Sequence, residues 1–84
     1  MQLHSHTFVE NYQGLVGFGL DRETDENTVV YYLQKFADDA LMNVLKERLE
    51  DNELAAIFDL LSGLLCKHLS EKEYHALFLK EQRE

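Results

Sequence analysis

The sequence predicts an all-α fold: a small antiparallel helical bundle of three helices, with an N-terminal helix or arm beside them. Three observations point there. Residues 54–69, LAAIFDLLSGLLCKHL, are apolar except for Asp59, Ser62, Gly63, Lys67 and His68. Their large side chains cover an arc of roughly 180° at the helical step. A second apolar stripe runs through Val29, Val30, Leu33, Phe36, Ala37, Ala40, Leu41 and Val44 at helical spacing. The joints between these segments are short and polar, which favours antiparallel neighbours. The reading is one domain over residues 1–84, divided into elements at 1–20, 24–49, 52–68 and 70–82.

The first element, residues 1–20, admits two readings. Phe8, Tyr12, Leu15 and Val16 have the spacing of one helical face, and Ser5 could cap its start. Gly14, Gly17 and Gly19 oppose a regular helix, since each interior glycine costs about 1 kcal/mol against alanine. The expectation is a helix ending in a glycine-rich turn at 17–19; the alternative is an extended arm lying across the bundle. The glycines do not form a phosphate loop, because no strand precedes them and the next turn is acidic.

The long helix at 24–49 begins in the polar run from Asp21 to Thr28. Asp25 and Glu26 suit its positive end, and Lys46 and Arg48 suit its negative end. Asp21, Glu23, Asp25 and Asn27 imitate a calcium loop, but Glu26 stands at the glycine position and Tyr32 at the final glutamate position. A helix-starting acidic turn is the better reading. The element at 52–68 is the central apolar helix. Its Leu61-Ser62-Gly63-Leu64-Leu65 matches an LxxLL docking pattern that any leucine-rich helix produces. Ser70-Glu71-Lys72-Glu73 is a capping box for the last helix, whose expected buried face is Tyr74, Leu77 and Phe78.

Composition narrows the function classes. The 84 residues carry a net charge of −8, with eight basic residues against 16 acidic ones. Nucleic acid and anionic membranes are poor partners for such a surface. No segment approaches the roughly 20 apolar residues of a membrane span. The first residues lack the basic and apolar regions of a signal peptide. With Cys66 as the lone cysteine, an intrachain disulfide is impossible, and a cytoplasmic location is expected.

No cofactor motif and no catalytic constellation is present, so no enzyme is expected. Asp38 and Asp39 diverge by about 100° and cannot face one substrate. His75 has no nucleophile beside it and pairs on paper with Glu71, four residues earlier. The candidate metal ligands are His4, His6, Cys66 and His68. Cys66 and His68 point about 200° apart on a helix, which argues against one shared ion.

Tyr31, Met42, Leu45 and Leu49 form a second apolar ridge on the long helix, within about 60° of one another and interrupted by Asp38. Such a ridge needs a cover. Either the N-terminal element with Phe8 and Tyr12 supplies it, or a second copy of the chain does, as a C₂ homodimer. The expected function is a small interaction or regulatory module that self-associates through these five residues and binds some further protein partner. The alternative is a small metal-binding protein.

Overall fold

The computed structural model describes residues 3–81, and among these residues the chain is helical with no strand. The chain divides into two compact units, Met1–Arg48 and Leu49–Glu84. The division falls beside the polar joint at 50–52.

In the first unit, α1 spans Thr7–Asn11 and packs on α2, Arg22–Phe36. Ser5 does not cap α1. His6 holds the N-cap position, without a side-chain bond. The helix stops at Asn11, and residues 12–20 run irregularly, so the helix expected through residue 16 does not form.

Side chains satisfy the backbone there in place of helical bonds. Tyr12 turns extended, and its hydroxyl donates to the Leu15 carbonyl at 2.8 Å. The same hydroxyl lies so close to Gly14 that a Cβ there would meet it at 2.5 Å. Thr28 Oγ1 accepts the Gly17 N–H at 3.0 Å and donates to the Gly17 carbonyl at 2.8 Å. The Gly19 N–H donates to Asp25 at 2.8 Å. Glycine is required at position 19, where φ is 91°.

The long helix expected over 24–49 is two helices. Asp21 caps the first, accepting the Thr24 N–H at 2.9 Å, so α2 begins at Arg22. It ends at Phe36, and α3 spans Asp39–Arg48. The break lies at Ala37 and Asp38. Asp38 competes for the backbone, as short carboxylates do in helix interiors. Its carboxylate accepts the Ala40 N–H at 3.1 Å, while its carbonyl accepts the Met42 N–H at 2.8 Å.

In the second unit, α4 spans Asp51–His68. The Glu53 carboxylate accepts the Glu50 N–H at 2.9 Å and closes its start. Lys67 and His68 lie in its last turn, against the negative end of the dipole. The expected capping box forms. Ser70 Oγ accepts the Glu73 N–H at 3.1 Å, and Glu73 accepts the Ser70 N–H at 2.9 Å.

The last helix departs from α geometry after one turn. α5 covers Glu71–Glu73, and Tyr74–Phe78 form a π-helical turn in which the Leu79 N–H reaches back to the Tyr74 carbonyl. Tyr74 and Phe78 stack with centroids 5.3 Å apart. Lys80, with φ of 59°, turns the chain out of the helix. The helix expected to residue 82 therefore ends at Phe78, and residue 82 itself lies outside the described residues.

Burial departs furthest from expectation. Only Val9 and Thr28 are buried among the described residues, at 3% and 5% exposure. The expected core stripe of Val29, Val30, Leu33, Phe36, Leu41 and Val44 is exposed. So are Leu77 and Phe78, leaving Tyr74 alone of that face half-buried.

Candidate functional site

The strongest candidate is the apolar arc of α4. Leu54, Phe58 and Leu61 are exposed along it, together with Leu60 and Leu64. Ile57, Leu65 and Leu69 are half-buried, and no residue of α4 is buried. The arc read from the sequence as a core surface is an open face. Leu54, Phe58, Leu61 and Leu65 follow 4-3-4 spacing and fall within about 60° of one another, which is the seam of a paired helix. Beside this face, Ser62, Leu65, Cys66, Leu69, Ser70 and Tyr74 line an open cavity of about 470 Å³. Cys66 is exposed on its wall.

The expected ridge sits differently. Tyr31, Asp38, Met42, Leu45 and Leu49 are all half-buried. Tyr31 is met by Tyr12, with ring centroids 5.9 Å apart, and by Lys35, whose Nζ stands 5.3 Å from its ring centre. Tyr12 in turn stacks on Phe8 at 5.1 Å. Part of the ridge thus carries the N-terminal cover that the sequence offered as one of two possibilities.

Asp38 is engaged by the same segment. One oxygen accepts the Ser5 N–H at 2.9 Å and the Ser5 hydroxyl at 3.0 Å. These two bonds, with smaller help from the Ala40 N–H, hold the Asp38 carboxyl below the ordinary aspartate range.

The candidate metal ligands do not assemble. Among the described residues, no three His, Cys, Asp or Glu side chains come together to hold an ion. His4 is instead bound by Glu10, Nδ1 to carboxylate at 2.8 Å, with Lys35 Nζ 3.4 Å from its other nitrogen. The same Glu10 oxygen accepts the His4 N–H at 2.7 Å. That bond and the Leu3 N–H lower its pKa. His6 precedes α1, while Cys66 and His68 lie two residues apart on α4, where the helical step separates them. His75 bonds Glu81 at 2.7 Å, in place of the expected Glu71.

Sequence reasoning missed Ser5 as the partner of Asp38, and Gln34, whose side-chain oxygen accepts the Val9 N–H at 2.9 Å. Neither carries a local signal, since each bond spans 25 residues or more. No helix among the described residues is long and apolar enough to cross a membrane. Comparison with known protein families, curated proteins and solved structures finds no match.

Proposed function

We propose that this chain is a small acidic interaction protein of the cytoplasm that works by self-association, with a regulatory role and no catalytic one. One observation carries the reading: nearly all its large apolar side chains are half-buried or exposed, and Val9 is the only buried apolar residue among those described. An apolar content of 45% is that of a globular protein, which normally hides such residues inside. The unit Leu49–Glu84 also falls below the roughly 40 residues at which a chain usually folds without disulfides, metals or association. A second copy supplies the missing burial.

Sedimentation velocity across a wide concentration range tests this. The expected result is a species of twice the 9.8 kDa chain mass that persists at low micromolar concentration. A protein that stays monomeric at high micromolar concentration overturns the reading.

A further inference from the structure

The face through which two copies meet follows from α4. Leu54, Phe58 and Leu61 are 45%, 70% and 46% exposed, and Leu60 and Leu64 stand on their flank. Leu54, Phe58 and Leu61, with Leu64 at the edge, leave on the order of 250–400 Å² of apolar surface on the seam side of the helix. Interfaces are about 56–65% apolar, so two such faces with their polar rims bury roughly 800–1,300 Å². That range spans the roughly 1,000 Å² a specific interface needs.

Charge selects the direction. Asp51 and Glu53 lie in the first turn of α4, and Lys67 and His68 in its last. A parallel pair sets like charge on like charge. An antiparallel pair sets the acidic turn of each copy beside the basic turn of the other and opposes the helix dipoles. With the two-fold axis at mid-helix, Leu54 stands by Leu65 of the second copy and Phe58 by Leu61. In the same register Asp51 falls beside His68. The apolar pairings and the Asp51–His68 pairing agree on one alignment, as an isologous interface requires.

We propose that α4 pairs antiparallel with α4 of a second copy about a two-fold axis near its midpoint, with Phe58 and Leu61 at the centre. This rests on the self-association reading and replaces the Tyr31–Leu49 ridge as its contact.

The native cysteine provides the measurement. Cys66 is exposed and lies on the helix side away from the Leu54–Leu65 seam, so one spin label per chain leaves that seam intact. In the mid-helix antiparallel register, the two Cys66 positions are offset by about 20 Å along the helix axes, which puts the labels about 20–30 Å apart, whereas a parallel pair has no axial offset and a shorter label distance. Pulsed dipolar spectroscopy on the wild-type dimer should read the longer distance. Phe58→Glu should weaken the dimer by about a hundredfold or more, since it buries an unpaired charge, whereas Leu45→Glu should leave it intact. A monomeric wild type overturns both this inference and the reading beneath it. A dimer with a label distance outside 20–30 Å, or one indifferent to Phe58→Glu, overturns the α4 interface alone.

Discussion

Ser5 donates both its backbone N–H and its hydroxyl to one carboxylate oxygen of Asp38, at 2.9 and 3.0 Å. A second contact strengthens this tie, because Ser5 Oγ also accepts the Asp39 N–H at 3.2 Å. The N-terminal segment is thereby anchored to the start of α3. Ser5→Ala and Asp38→Ala should each lower the thermal midpoint. Asp38→Ala should have the larger effect, because it also removes the acceptor of the Ala40 N–H. The double variant should fall short of the sum, since both changes break one link. Strict additivity in differential scanning calorimetry would show that the two residues act separately.

The acid limb of stability has a sign set by three carboxylates. Asp38, Glu10 and Asp21 all have folded pKa values below their ordinary ones, chiefly through backbone N–H bonds from Ser5, His4 and Thr24 respectively. A carboxyl depressed in the folded state stabilises it fully above the ordinary pKa of about 4 and loses that contribution as pH falls through the folded value. The denaturant midpoint should therefore be insensitive to these groups from pH 7 to about 5 and should decline below about pH 4. Asp38→Asn should shallow that decline in urea titrations run at a series of pH values.

Thr28→Val should cost about 1–3 kcal/mol, because the buried hydroxyl is the partner of both polar groups of Gly17. Thr28→Ser keeps the hydroxyl and should recover much of the loss. A Thr28→Val variant as stable as wild type in urea unfolding, beside a destabilised Thr28→Ser, would mean that the methyl group matters and the hydrogen bonds do not.

Gly19→Ala should cost about 1–2 kcal/mol, the penalty for a Cβ in left-handed backbone. No atom stands within 4 Å of the added carbon, so the cost is conformational and not steric. Lys80→Gly should act oppositely, relieving the same strain at φ of 59°. Thermal melts of the two variants should shift in opposite directions.

Ser70→Ala should cost about 0.5–2 kcal/mol through loss of the N-cap bond to Glu73. An unchanged melting midpoint would remove the capping box from the account of this helix end.

What could be read in advance divides by the range of the interaction. The Ser70–Glu73 box and the acidic turn at Asp21 were legible because partner and donor lie three residues apart. The helical character of residues 54–68 was legible from its period. Asp38 was not seen as a helix break, since Lys35, Phe36, Ala37 and Ala40 around it continue a helical pattern. Its backbone role emerges only where Ser5 meets it from 33 residues away. The helix expected up to the 17–19 turn fails for a similar reason: Tyr12 turns extended and its hydroxyl donates to the Leu15 carbonyl, which apolar spacing does not announce. Periodicity also identified the apolar arc of α4 and read it as core, where Leu54, Phe58, Leu60, Leu61 and Leu64 are exposed. A 3.6-residue period marks a face to be covered, and it is silent on whether the cover belongs to the same chain.

The tilted pair of Tyr12 and Tyr31 gives the molecule an intrinsic optical signal. The chain has four tyrosines and no tryptophan, so its absorption near 280 nm is essentially tyrosine absorption. Two phenol rings held 5.9 Å apart at 59° form a fixed, chiral arrangement of transition dipoles. Its near-ultraviolet circular dichroism should report the docking of the N-terminal segment on α2. Far-ultraviolet dichroism, dominated by the helices, should barely register that event. Release of the segment without unfolding would therefore appear as loss of the first signal with the second retained.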